Sequence, residues 1–133
     1  MTITIDTSAL AAVIFGESDA AHFAAVMLAN AGDCVISAAT LVEANVVVEA
    51  RQGPGAGQDL RLLIEQIGAE IVPVTGETAA VAVAAWRRFG KGRHAAGLNY
   101  GDCFSYALAS AFGAPLLYKG DDFTQTDIPR IGG

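Results

Sequence analysis

Short β-branched or apolar runs alternate with longer helical patterns along the whole chain, and this order restricts the fold more than any other feature. Thr2–Asp6 alternates Ile3 and Ile5 with threonine, the two-residue period of a strand. Thr7 and Ser8 are placed to cap a helix over Ser8–Ile14. A second helix is expected over Ser18–Asn30, then a short buried strand, Cys34–Ile36. Ser37 caps a long helix reaching about Arg51. Gly53-Pro54-Gly55-Ala56-Gly57 reads as an interhelical loop, and Gln58–Gly68 places Leu60, Leu63, Ile64 and Ile67 at helical spacing. A strand at Glu70–Val74 precedes an alanine-rich helix over Glu77–Phe89, in which Trp86 and Phe89 are assigned to the core, with base stacking as their alternative use. Gly90–Leu98 reads as a flexible basic loop, Tyr100–Phe112 as a helix, and Leu116–Tyr118 as a strand. The turn Lys119-Gly120-Asp121-Asp122 and a last short strand within Asp127–Ile131 complete the pattern.

Strands separated by helices require crossover connections, so they form a parallel sheet with helices on both faces. The expected fold is α/β: a single three-layer domain over residues 1–133 with a mainly parallel central sheet. In such sheets ligands bind beyond the carboxyl ends of the strands. Asp6 ends the first strand, and Asp121 and Asp122 follow the Leu116–Tyr118 strand. Glu43 has Ala39, Thr40, Val46 and Val47 as its helical neighbours, an apolar setting in which a carboxylate needs compensation. Asp102 stands at the third position of a helix capped by Asn99, with Ser105, Tyr106 and Ala109 on its side.

Asp6, Asp102, Asp121 and Asp122 each also have a local use, as a cap or a turn residue, and the alternative for Glu43 is a paired carboxylate or a different helical phase. Together, Asp6, Glu43, Asp102 and one of Asp121 and Asp122 can converge from four segments on one end of the sheet. Carboxylates gathered in one pocket stay ionised only around a cation; otherwise some take up protons. Oxygen-only ligation selects Mg²⁺ or Mn²⁺. Such an ion suits phosphodiester hydrolysis by water, leaving a 5′-phosphate and a 3′-hydroxyl. No protein nucleophile stands out, since Ser8 and Ser105 lack a histidine partner.

Bulk charge points away from non-specific nucleic-acid coating: the formal net charge is −6 and the pI about 4.6. Yet Arg87, Arg88, Lys91 and Arg93 supply half of the eight Lys/Arg just before Asn99–Asp102, and His94 adjoins them. These five residues are candidate phosphate contacts for a nucleic acid. Cys34 and Cys103 form no metal motif and are too few for a disulfide scaffold, so both are expected reduced and buried. A basic leader is not evident, and no uncharged run reaches the ~20 apolar residues of a spanning helix. A cytoplasmic chain is therefore expected.

Ile5-Asp6-Thr7-Ser8-Ala9-Leu10, Leu41-Val42-Glu43-Ala44, the run from Leu98 to Ala109 containing Asn99-Tyr100-Gly101-Asp102, and Pro115 to Phe123 with Thr126-Asp127-Ile128 carry a family likeness over nearly the whole chain. The chain resembles PIN-domain ribonucleases, and within them the VapC-like toxins of toxin–antitoxin pairs. The resemblance implies metal-binding roles for Asp6, Glu43 and Asp102, with Glu43 either a ligand or the base. It places the fourth acid on Asp122, with Asp121 in an assisting position and Thr7 in a supporting one. It also implies an RNA substrate, a VapB-like antitoxin and a homodimer, with larger assemblies alongside the antitoxin. The competing classes are a catalytically idle PIN-fold interaction protein and a phosphoacceptor α/β domain. The phosphoacceptor would place adjacent acids after the first strand, where this chain has Asp6-Thr7.

Overall fold

The computed structural model describes residues 1–131. Its elements are β1 (Ile3–Ile5), α1 (Thr7–Ile14), α2 (Ala20–Ala29), β2 (Cys34–Ser37), α3 (Ala38–Gln52), α4 (Pro54–Gln66), β3 (Glu70–Val72), α5 (Gly76–Phe89), α6 (Tyr100–Phe112) and β4 (Leu116–Leu117). These strands form one parallel sheet in the order β3-β2-β1-β4. β1 is central and donates alternately to its two neighbours: Ile3 N to Asp33 O at 3.0 Å, Thr4 N to Pro115 O at 2.9 Å, and Asp6 N to Leu117 O at 3.0 Å.

The strand period sorts the core. Ile3 and Ile5 of β1, Cys34 and Ile36 of β2, and Leu117 of β4 enter one apolar cluster, packed against Leu10, Met27, Val48, Leu60 and others from α1 to α4. Leu116 points the other way, into a second cluster with Ala85 and Phe89 of α5 and Cys103, Tyr106 and Ala107 of α6. Each fully buried large aliphatic side chain of this kind contributes about 1.5–3 kcal/mol. The sheet thus carries helices on both faces, the three-layer α/β arrangement expected.

Three local expectations differ. Residues 53–57 are not simply a loop: α4 begins at Pro54, a residue whose fixed φ suits a first helical turn, and only Gly53 breaks the chain, at φ 82°. Residues 127–131 form no regular strand; a single parallel bridge joins Arg130 to Leu116. The segment Gly90–Leu98 is pinned rather than loose, since Lys91 N donates to Leu98 O and Leu98 N to Phe89 O, both at 2.9 Å. Both cysteines are free and buried as expected. No helix among the described residues is long and apolar enough to cross a membrane.

Candidate active site

Asp6 sits where β1 stops and α1 starts. Its backbone is held by Leu117, and its side chain N-caps α1, the local use open to Asp6 in sequence, so that Thr7 and Ser8 do not serve as the cap. Asp6 Oδ2 accepts from Ser8 N at 3.0 Å and from Ser8 Oγ at 2.7 Å. Asp6 Oδ1 accepts from Ser105 Oγ at 2.5 Å, and Ser105 Oγ lies 3.3 Å from Thr40 Oγ1. Thr40, Ser105 and Asp6 are all buried. Ser8 also accepts from Lys119 N at 2.9 Å, tying the turn after β4 to the same carboxylate. Lys119 is itself clamped by Asp19 and Glu17 of the α1–α2 connection, which raises its pKa.

Glu43 reaches this group from α3. Thr7 Oγ1 donates to Glu43 Oε1 at 2.6 Å, and the carboxylate lies against Gly101, where any Cβ would overlap it. The helical face around Glu43 is not the apolar one expected: Val46 and Val47 are exposed, and Glu43 is half-buried. Compensation comes from a hydroxyl and from the space left by a glycine.

Asp102 is buried in the first turn of α6 and forms the expected capping box. Asn99 N donates to Asp102 Oδ2 at 3.0 Å, and Asp102 N to Asn99 Oδ1 at 2.8 Å. The Asp102 carboxyl is pushed up to about 8, chiefly by burial and against the pull of the Asn99 amide. The charges of Asp6 and Asp122, and a hydrogen bond with Asp122, are the smaller contributions to this rise. Asp122 therefore joins Asp102 and Asp6 in one electrostatic unit. Its neighbour Asp121 acts on Tyr118 instead. Phe123, buried against Tyr118 with ring centroids 5.0 Å apart, anchors the turn carrying both acids.

Among the described residues, no three His, Cys, Asp or Glu side chains converge tightly enough to cage a metal in this arrangement. The donor set nevertheless fits a hard divalent cation: carboxylates backed by hydroxyls, with no imidazole or thiolate among them. A carboxyl held protonated near neutral pH by burial, with adjacent acids adding to the shift, belongs to a cluster whose charge a cation would balance.

The basic segment divides by role. Arg88 pairs with Asp127 at 3.5 Å, and Asp127 accepts from Tyr106 Oη at 2.6 Å. Arg93 Nε donates to Arg87 O at 3.2 Å, and its guanidinium stacks 4.7 Å from the Trp86 ring. His94 Nδ1 accepts from Ala96 N at 2.9 Å, and its ring meets Phe89 edge-on. Arg87 and Lys91 are exposed. Phe89 is core as expected, but Trp86 is not: it is 44% exposed.

Sequence reasoning passes over Ser8, Ser105 and Thr40 as site residues when it seeks a nucleophile. Helical spacing holds the signal: Ser105 lies three residues after Asp102 and Thr40 three before Glu43, each sharing its acid's side of the helix.

An α/β sheet with acids at the carboxyl edge of its central strands defines a class, and comparison with known proteins identifies it. The PIN domain family model matches residues 3–129, and the chain belongs to the PIN-domain family. Its relatives include Ribonuclease VapC30 of Mycobacterium tuberculosis, 46% identical over 129 residues, covering 97% of this chain and 98% of that protein. Ribonuclease VapC of Mycolicibacterium smegmatis is 44% identical over 131 residues, covering 97% and 99%. Among solved structures, M. tuberculosis VapC20, a sarcin-ricin loop cleaving toxin, superposes with a TM-score of 0.81 at 17% identity, covering 98% of each chain. A toxin–antitoxin complex from Klebsiella pneumoniae gives 0.74 at 17% identity, covering 99% of this chain and 98% of that one.

Proposed function

We propose that this chain is a divalent-metal-dependent endoribonuclease, acting in the cytoplasm as the toxin of a toxin–antitoxin pair. The observation that carries the reading is the gathering of Asp6, Asp102 and Asp122 at the carboxyl edge of the sheet, where burial first, and the charges of Asp6 and Asp122 after it, raise the Asp102 carboxyl to about 8. The ribonuclease names of relatives at 44–46% identity support the same reading.

Asp6, Asp102 and Asp122 would hold Mg²⁺ or Mn²⁺, which supplies Lewis-acid chemistry: charge neutralisation at the phosphate and a more acidic attacking water. The protein's own part is positioning. Ser8 and Ser105 fix the Asp6 carboxylate from both sides, and the Asn99 amide fixes Asp102. Glu43 has one oxygen committed to Thr7, and its carboxylate stands at the Gly101–Asp102 turn, placed to ligate or to receive the water's proton. Asp121 stands outside this unit and assists only by charge. Arg87 and Lys91 are the cations best placed to meet RNA phosphates, with Arg88, Arg93 and His94 shaping the segment that bears them.

Two protein partners belong to the reading: a VapB-like antitoxin and a second copy of the chain. Val42 and Val46, exposed one helical turn apart on α3, flank Glu43 in sequence. An antitoxin segment covering them would stand over the site and block it. The test of the chemistry is the product end. A 5′-phosphate with a 3′-hydroxyl is expected from attack by water; a 2′,3′-cyclic phosphate would rule it out.

A further inference from the structure

Between α5 and α6 lies a groove of about 530 Å³, lined by Val83, Trp86, Phe104 and Tyr100 together with Lys91 and Asn99. Tyr100 is 81% exposed although it is aromatic and opens α6 immediately after the Asn99 cap. Its ring is set rather than free: it meets Phe104 in a T-shaped pair at 5.0 Å. Trp86 is equally fixed, since Gly90 backs onto its indole so closely that a Cβ there would collide, and Arg93 covers the ring. Two preformed aromatic surfaces therefore share one groove, with Tyr100 two residues before Asp102, Lys91 in the lining and the exposed Arg87 next to Trp86 in sequence.

We propose that this groove is a nucleobase subsite, in which an unpaired base of the RNA stacks on Tyr100 and Trp86 while its backbone phosphates meet Arg87 and Lys91. The proposal deepens the nuclease reading and rests on it. Charge complementarity selects RNA as the occupant. The chain is acidic overall, yet Lys91 lines this groove and the Arg93 guanidinium lies over its Trp86 ring. A second copy seated symmetrically on the groove would bring Lys91 and its neighbours against their own equivalents, a like-charge juxtaposition. Polyanionic RNA gains from the same cations, and every base offers a π face to the aromatic walls. The subsite takes an unpaired base, because a base held in a duplex cannot enter the groove.

The test is fluorescence anisotropy with a short single-stranded RNA and an otherwise identical strand carrying abasic sites, in EDTA so that metal-dependent cleavage is off. Wild type should bind the intact strand about tenfold more tightly than the abasic one, the scale of one stacked base. Tyr100→Ala should lose that preference, and Tyr100→Phe should keep it; neither exposed change threatens the fold. Equal affinity of wild type for both strands, or no binding of either, overturns the proposal. So does a Tyr100→Ala variant whose RNA preference is intact while its mass in solution drops, which would assign the groove to a second copy. Cleavage by wild type in Mn²⁺ is measured in parallel. Cleavage without base preference removes the subsite alone, whereas absence of cleavage removes the nuclease reading.

Discussion

The Glu43 carboxylate lies directly against the Cα of Gly101, so that α3 and α6 meet where a side chain on residue 101 would stand. Gly101 is the second residue of α6, a position where alanine would otherwise be the better helix former. Glu43 is the flexible end of this contact and can swing away at little cost. Gly101→Ala should therefore leave the melting temperature within a few degrees of wild type while displacing Glu43. Cleavage should fall by about 10²-fold, the scale of an ångström-level misplacement at an active site. Calorimetry beside a cleavage assay checks both halves.

Ser105 should behave as a positioning residue. Its hydroxyl bonds Asp6 and Thr40 from a buried place 99 positions away from Asp6 in sequence. Ser105→Ala strips Asp6 of a donor and leaves the Thr40 hydroxyl without its partner, which should cost about 1–3 kcal/mol of stability. Mn²⁺ affinity should weaken by about 10–100-fold, as for other groups that orient ligands. Ser105→Thr, which restores the hydroxyl, should recover most of the affinity, whereas a purely packing role would leave Mn²⁺ binding unchanged in Ser105→Ala.

The pH dependence follows from Asp102. Its pKa is raised in the folded state from an ordinary 3.8 to about 8, chiefly by burial and then by Asp6 and Asp122. The folded protein thus holds a proton that the unfolded chain releases. This contribution to stability is complete below 3.8 and is lost as pH rises through about 8. In EDTA, Asp102→Asn should become progressively more stable than wild type as pH rises from 3.8 towards 8, and Mn²⁺ should narrow that gap by stabilising wild type alone. A gap independent of pH would mean that Asp102 does not titrate in this range.

Arg87 and Lys91 should govern the salt dependence of RNA binding. Removing one phosphate-binding cation reduces the slope of log K against log salt by about 0.7 for single-stranded RNA. Arg87→Ala with Lys91→Ala should therefore flatten the slope by about 1.4. Arg88→Ala should act mainly on stability, since Arg88 is committed to Asp127. Binding titrations between low and moderate salt separate the two variants.

Much of this is legible in sequence because it depends on local periodicity and cap chemistry. The βα alternation, the Asn99–Asp102 capping box and the position of Asp6 all follow from residues within a few places of one another. Glu43 stands out in sequence for an apolar setting that the structure does not show; Val46 and Val47 face outward, and Thr7 and Gly101 hold the acid instead. The start of α4 at Pro54 is hidden by glycines that suit a turn equally well. Trp86 reads as core because hydrophobic spacing cannot distinguish an interior ring from one lining an open groove. Helical spacing puts Ser105 and Thr40 on the sides of their helices that carry Asp102 and Glu43, but that they bond each other and Asp6 follows from the packing of α6 against α3 and β1.

The most direct test is cleavage of a structured RNA pool by the antitoxin-free protein in Mg²⁺ or Mn²⁺ against EDTA, with Asp102→Asn alongside. A carboxylate-centred nuclease should cut only with metal, and Asp102→Asn should lose the activity while staying folded. Equal cleavage by Asp102→Asn, or cleavage undiminished in EDTA, would contradict a site built on Asp6, Asp102 and Asp122.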